Sequence, residues 1–292
     1  MLEVLGGAAP PEAIFERVHD RDGLRFLGFL LGYARLLRGD EIELVNQMAR
    51  PYLPRVLPRL QRGTPESRGN AVLMLARMGM PEYADAVADS LTDDSPVVAM
   101  IAARSLFRPE HEEHFGAVLA HLPRFTVWSR RFLGSMLAGG GGAASPLLRY
   151  IMADPRQDAL VRAVASDALR ELNDLDSVPL ALALVSTEQD RELVAGCLRI
   201  LKHLGHRDHI TTIVAMAEAD DPVIRATATS ALGAVGGDAE TPLLLERLDD
   251  DSFWVSLEAA RGLKALGSTE RLEALATSDD PRALLAQQVL AE

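Results

Sequence analysis

Two groups of histidines have spacings that could bind a metal ion. His111 and His114 lie three residues apart, so one helical turn would bring both rings near the carboxylates of Glu112 or Glu113. The second group consists of His203, His206 and His209. A glycine that should end a helix divides this group, so its rings need not converge. We favour solvated surface histidines for the first pair, leave metal binding by either group open, and expect no cofactor.

The other reactive residues form no known catalytic motif. The sequence contains no HExxH, no GxSxG and no nucleotide-binding loop. Cys197 is the single cysteine and occupies a small apolar helix position, so we expect an inert core residue. The run Gly139–Gly142 continues as "GAASP" and not as the "GKS" or "GKT" of a phosphate-binding loop. Its role depends on the helices around it.

A repeat of 31 or 32 residues runs along most of the chain. Helical segments with an Asp or Ser cap, small residues in the middle and a late Leu recur at this spacing. The recurring leucines are Leu75, Leu106, Leu137, Leu169, Leu201, Leu232 and Leu263. Such a unit has room for two short helices and two turns. The repeat passes through Gly139–Gly142 without an insertion, so these glycines should form the turn after a second helix.

The turns between the helices carry start signals of their own. An Asp or Ser stands before Pro where second helices should begin, at Ser95-Pro96, Asp221-Pro222 and Asp280-Pro281. We therefore predict an all-α fold, a right-handed α-solenoid (superhelix) of stacked antiparallel helix pairs. Residues 1–62 should form an irregular N-terminal helical cap, and residues 63–292 one continuous solenoid domain.

Two segments carry a resemblance to a known family. The segments "DDPVIRATATSALGAVG" (220–236) and "DDSPVVAMIAARSL" (93–106) resemble HEAT-like repeats, in particular the short bacterial form of the phycobilisome-lyase type. The resemblance covers residues 64–292 and implies the solenoid fold, but it transfers no active-site residue. HEAT-like deoxyhypusine hydroxylases use several His-Glu pairs at equivalent positions, whereas this chain has one, so that activity is not supported.

The charge distribution predicts where a partner would bind. The chain has a net charge of -12, yet seven equivalent second-helix windows contain thirteen basic and five acidic residues. Second helices usually line the concave side of a solenoid, where partners bind. The cations that we expect to contact a partner are Arg104, Arg108, Arg130, Arg131, Arg162, Arg199, Lys202, Arg225, Arg261 and Lys264. Stabilisation of helix dipoles is an equally weighted alternative, although it explains late cations better than early ones.

These observations predict a non-catalytic protein–protein interaction scaffold that binds an acidic or extended segment of another protein. Replacing Arg130, Arg131 and Arg162 together should abolish partner capture and leave thermal melting nearly unchanged. One alternative is nucleic-acid binding by the basic inner face, which a pI near 5.1 disfavours. The other is a lyase-like or metal-dependent enzyme or enzyme subunit. We do not expect an enzyme.

Two tryptophans, Trp128 and Trp254, fall at one repeat position in a column that also contains Val97, Leu160 and Val223. An apolar column is typical of core packing, and this is the interpretation that we favour. Exposed aromatic anchors for a partner are the alternative.

The segment Leu24–Leu37 is the most apolar of the chain, but it is too short to span a bilayer and should be a buried or capping helix. We expect no membrane contact unless through this helix or an anchor missing from the sequence. The N-terminus does not resemble a signal peptide. Two lysines beside 28 arginines indicate a GC-rich, bacterial source, and we expect a cytoplasmic protein. The oligomeric state stays open.

Overall fold

The computed structural model describes residues 2–34, 36–79 and 81–292. Within these ranges the regular structure is helical and contains no β-strand, which confirms the predicted all-α class. Side chains of Asp190 and Asp221 cap two of the longer helices, and Gly205 and Gly236 follow the ends of the same helices, as the repeat predicts. Ser95, in contrast, makes no side-chain cap in these ranges.

The chain consists of two compact units, Met1–Val127 and Trp128–Glu292. The α-helices of the first unit are α1 Leu2–Leu5, α2 Gly23–Ala34, α3 Asp40–Ala49, α4 Pro65–Met78, α5 Ala84–Asp89, α6 Pro96–Leu106 and α7 Phe115–His121. Those of the second unit are α8 Arg130–Ala138, α9 Gly141–Ala153, α10 Ala159–Glu171, α11 Ser177–Thr187, α12 Arg191–Leu204, α13 Ile210–Met216, α14 Pro222–Val235, α15 Thr241–Leu248, α16 Phe253–Ala265, α17 Glu270–Ala276 and α18 Ala283–Ala291. Short 3₁₀ helices cover Pro11–Ile14, Asp20–Asp22, Arg50–Arg55, Leu57–Arg59, Ser90–Thr92, Pro109–His114, Leu122–Arg124, Arg207–His209 and Asp238–Glu240.

The first unit combines an irregular start with two repeat-like helix pairs. Helix α2 covers most of the apolar segment 24–37, and its residues Leu27 and Leu30 are fully buried, as expected for a core helix. Arg35 of that segment lies outside the described residues. None of the described helices is both long and apolar enough to cross a bilayer. The division into a cap over 1–62 and one domain over 63–292 stays a prediction.

The second unit is a regular stack. Helices α8, α10, α12, α14 and α16 pack side by side in chain order, and we call them the second-helix row. The intervening helices α9, α11, α13 and α15 each pack against the row. The recurring leucines have no solvent exposure, which confirms that the repeat marks the core.

Small residues let neighbouring helices of the row approach closely. A methyl group on Gly233 would lie 2.5 Å from the Cα atom of Gly262 in the next helix. A methyl group on Gly196 would lie 2.1 Å from the hydroxyl oxygen of Ser166. The backbones of α14 and α16 are therefore in near contact, and the backbone of α12 lies directly against the side chain of Ser166 in α10.

The glycine run forms a tight turn inside the second unit. Helix α8 ends at Ala138, α9 begins at Gly141, and Gly141 has a φ of +61°, in the left-handed region that glycine adopts without strain. This confirms the predicted turn after a second helix.

Candidate partner-binding surface

Most of the predicted partner-binding cations already have intrachain contacts. Arg225 in the first turn of α14 donates from Nε and Nη2 to the two carboxylate oxygens of Asp250, each at 2.9 Å. Asp250 also accepts the backbone N–H of Ser252 at 2.9 Å, in the turn that precedes α16. We call this arrangement a turn clamp: an early arginine of one second helix binds a carboxylate 25 or 26 residues later, which also orders the next turn.

Two further turn clamps have the same construction. Arg68 of α4 donates to both carboxylate oxygens of Asp93, at 2.7 and 2.8 Å. Arg162 of α10 contacts Glu188 at 2.7 Å and donates from Nε to the carbonyl of Met152 at 3.1 Å. In each clamp the two side chains are no more than 17% exposed.

The clamps lower the pKa of their carboxyl groups. Hydrogen bonds from Arg68 and Arg225 hold the pKa values of Asp93 and Asp250 below the ordinary value. Burial opposes ionisation of Glu188, but backbone N–H groups and the Arg162 guanidinium still hold its pKa below the ordinary value.

Arg162 therefore corrects one expectation. Its side chain is 6% exposed and paired with a part-buried carboxylate, so we now expect its removal to lower the melting temperature instead of leaving it unchanged. Cations early in a helix, such as Arg162 and Arg225, bind the carboxylate of the next turn. This contact, and not the helix dipole, accounts for a positive charge at these positions.

A second set of contacts joins polar side chains in the middle of the row. Arg130 contacts Asp167 at 2.7 Å and Glu192 at 2.6 Å, and therefore connects α8 to α10 and α12. Arg199 of α12 lies 3.8 Å from Asp167. Acids of one helix thus neutralise cations of the neighbouring helices along this part of the row.

The contacts continue toward the C-terminal end. Lys202 donates to the hydroxyl oxygen of Ser230 at 2.6 Å, and Ser230 in turn donates to Glu258. Arg261 contacts Glu258 at 3.1 Å and Glu292 at 2.6 Å. The face that was expected to be basic is therefore a network of alternating charges.

The remaining predicted cations differ in their surroundings. Lys264 donates to the backbone carbonyls of Val289 and Leu290, at 2.9 and 3.3 Å. Arg104 and Arg108 in the first unit and Arg131 in the second are exposed, and none of them has an ion pair within the described ranges. These three cations are accessible to an acidic partner.

Two arginines of the row, Arg170 and Arg199, have buried N–H groups that make no hydrogen bond in the part of the molecule that the structure describes. The Nη1 group of Arg199, which forms the 3.8 Å ion pair with Asp167, and the Nε group of Arg170 are buried and donate no hydrogen bond among the described residues. Burial, followed by the positive charge of Arg130, lowers the pKa of Arg199. The repeat pattern could not identify Arg170 as part of this cluster, because its late helix position is equally suited to the dipole.

The histidines of the first group are not solvated. His111 and His114 are 6% and 8% exposed, so the surface interpretation is wrong for both. The backbone at His111 is non-helical, with a φ of -135° and a ψ of 40°, and this breaks the assumed single turn of helix. Asp85 and Glu113 lie 3.6 Å from the Nε2 atom of His114.

The second histidine group does not converge on one point. The Nε2 atom of His203 lies 2.9 Å from the side-chain oxygen of Asn173, whereas His209 accepts the backbone N–H of His206 at 3.0 Å. Within the described part of the chain, no group of three or more His, Cys, Asp or Glu residues could hold a metal ion. Cys197 is fully buried, and burial raises its pKa to about 12, so its thiol is protonated at neutral pH.

Three residues of the apolar column at the start of the second helices are exposed, which contradicts the core-packing interpretation for them, whereas Trp128 and Leu160 are half-buried. Trp254 is 66% exposed, Val97 57% and Val223 37%. Val255, the residue after Trp254, has no exposure, so the first turn of α16 is packed and the column lies on its open side.

The sequence of residues 181–264 matches the family model of HEAT repeats. This segment consists of HEAT repeats. It covers α12, α14 and α16 of the second-helix row, and it confirms the resemblance and the predicted α-solenoid class, since HEAT repeats stack into solenoids. No curated protein matches the sequence.

Several solved structures are similar in fold. The complex of CpcE and CpcF of phycocyanin lyase from Nostoc sp. PCC7120 is 20% identical with a TM-score of 0.37, and the match covers 82% of this chain and 86% of that one. The karyopherin Kap121p, bound to the extreme C-terminus of the protein phosphatase Cdc14p, is 12% identical with a TM-score of 0.40, over 93% and 41% of the chains. An engineered protein is 17% identical with a TM-score of 0.38, over 90% and 98%.

Proposed function

We propose that this protein is a non-catalytic scaffold whose second-helix row binds an acidic segment of another protein. The observation that supports this proposal is the pair of unfilled arginine donors at Arg170 and Arg199. A buried donor without an acceptor costs about 1–3 kcal/mol, and a ligand that supplies the acceptor recovers that free energy on binding.

The charges around Arg199 favour a carboxylate ligand. Burial and the neighbouring positive charges of Arg130 and Arg170 disfavour its charged form, so an additional anion would stabilise the cluster. A guanidinium binds a carboxylate through two parallel hydrogen bonds, and a neutral acceptor lacks the charge. A Glu or Asp side chain of an extended segment has the required size and charge.

A carboxylate fits this cluster better than a polyanion. Asp167 and Glu192 already neutralise Arg130 at the same place, and they would repel a run of phosphates. Most cations that would have made the face basic are paired within the chain. Nucleic-acid binding is therefore less well supported than it was by sequence alone, and nothing in the row favours a particular enzymatic reaction.

The test is a selection of random displayed peptides against the full chain. We expect the enriched peptides to contain Glu or Asp, and the double substitution Arg170→Gln/Arg199→Gln to weaken their binding at least about tenfold in fluorescence anisotropy, because charged hydrogen bonds contribute about 1.5–3 kcal/mol each. The matched control is Arg271→Gln, which removes one positive charge from an exposed position of α17.

Binding that survives in the double variant would overturn the proposed site, as would enriched peptides without an excess of acidic residues. Thermal melting of both variants distinguishes lost binding from lost folding. A labelled DNA duplex added to the same assay tests the alternative: tight, salt-sensitive binding would favour nucleic acid instead.

A further inference from the structure

The last second helices of the chain begin with exposed apolar side chains. Val223 in α14, Phe253 and Trp254 in α16 and Leu284 in α18 are 37%, 56%, 66% and 76% exposed, and we call them the edge patch. They occupy the first or second position of their helices. Helix α16 packs against both α14 and α18, so the three starts are neighbours.

The aromatic pair of the edge patch is already ordered. The rings of Phe253 and Trp254 lie edge to face, with centroids 5.5 Å apart. A ligand that packs on them would therefore meet a preformed surface and would have little side-chain entropy to remove. Large exposed aromatic residues of this kind are the ones that contribute most when they are buried at an interface.

Unpaired carboxylates border the edge patch. Asp220, Asp251 and Asp279 lie in the turns immediately before the three helices, are exposed, and have no ion pair among the described residues. The adjacent Asp250, in contrast, is neutralised by Arg225 in a turn clamp. The clamps therefore leave negative charge beside the apolar side chains.

We propose that the edge patch binds a segment of another protein in which an aromatic or large aliphatic side chain is flanked by Lys or Arg. The apolar side chain would pack against Phe253 and Trp254, and the flanking cations would face the three aspartates. Cations that approach acids at the rim of an interface increase the association rate and select the partner.

The negative charge beside the edge patch also disfavours binding of a second copy of this chain there. A symmetric dimer would place the same patch on both sides of the interface and bring two sets of carboxylates together. Like charges at such a distance destabilise the contact unless salt screens them. A basic partner removes this repulsion.

The edge patch is independent of the Arg170 and Arg199 cluster, because it selects the opposite charge. One peptide selection can therefore test both. From the same displayed library we expect a second class of peptides, with an apolar residue flanked by Lys or Arg. The double substitution Phe253→Ser/Trp254→Ser should lower the affinity for these peptides at least about tenfold and leave the affinity for the acidic peptides unchanged.

The charge requirement has a separate test. Asp220→Asn/Asp251→Asn/Asp279→Asn should weaken the basic peptides several-fold at low salt and make their affinity less dependent on salt. Leu175→Ser, at a side chain that is 67% exposed in a turn of the same unit, is the matched apolar control and should change nothing.

Three results would overturn the proposal. The first is a selection that yields no peptides with an apolar residue flanked by Lys or Arg. The second is that such peptides are found but bind the Phe253→Ser/Trp254→Ser variant as well as the wild type. The third is a wild-type dimer in analytical ultracentrifugation that the same double substitution converts to monomer, because the patch would then bind a second copy. Unchanged thermal melting of the variants shows that the fold is retained.

Discussion

In the middle of the second-helix row, charged side chains contact one another across neighbouring helices, whereas at the first turns of α14 and α16 apolar side chains contact solvent. Arg162 is 5% exposed and paired, and Trp254 is 66% exposed. Residue type alone would have suggested the reverse. The difference teaches that the face of a repeat helix decides burial even within its first turn: Val255, the residue after Trp254, has no exposure, whereas Trp254 lies on the open side.

The largest effect should come from removing a buried clamp. Arg162→Ala leaves the carboxylate of Glu188 part-buried without its partner, so we expect a loss of about 3–5 kcal/mol in the free energy of unfolding, measured by urea denaturation. Trp254→Ser should cost less than about 0.5 kcal/mol, because the indole is mostly in water. Equal losses in the two variants would contradict the comparison.

A smaller effect is expected from the close approach of helices inside the row. Gly233→Ala places a methyl group against the backbone of Gly262, and we expect a loss of about 1–3 kcal/mol in urea denaturation. Gly32→Ala in α2 is the control, since no atom lies within 4 Å of its added methyl group. It should be neutral or stabilise the helix by up to about 1 kcal/mol. A neutral Gly233→Ala variant would mean that the helices can separate freely.

The smallest effect should appear in the pH dependence of stability. Arg225 holds the pKa of Asp250 below its ordinary value, so the unfolded chain binds the proton more readily than the folded chain. This clamp therefore contributes stability at neutral pH, and the contribution is lost as the pH falls below about 4. The difference in the free energy of unfolding between wild type and Asp250→Asn, measured by urea denaturation, should accordingly shrink by about 1 kcal/mol between pH 7 and pH 3. Asp251→Asn removes the same charge at the exposed neighbour, which has no ion pair among the described residues, and is the matched control. A difference that stays constant with pH for Asp250→Asn would contradict the role of the clamp.

The parts of the fold that depend on local signals could be predicted from the sequence. The recurring leucines, the turn at Gly139–Gly142 and the side-chain caps of α12 and α14 by Asp190 and Asp221 all follow from residue spacing within one repeat. Each is determined by neighbours within a few residues.

The clamps could not be predicted from helix patterns, because their partners lie 25 or 26 residues apart in different turns. The aligned repeats did contain a signal: an acid before one second helix and an arginine early in the preceding second helix, as in Arg225 and Asp250. The burial of His111 and His114 had no such signal, since it depends on a backbone bend at His111. The exposure of Trp254 could not be predicted because consecutive apolar residues at a helix start do not show which of them faces the core; here Val255 is buried and Trp254 is not.

The turn clamp also affects how repeats could be added to such a chain during evolution. Residues 222–252 span one 31-residue period and contain both Arg225 and Asp250, so a tandem duplication of this segment would carry its own ion pair with it. The added hairpin would leave no arginine or aspartate of the clamp without a counterpart. A single genetic event could therefore lengthen the array without an electrostatic defect at the junction.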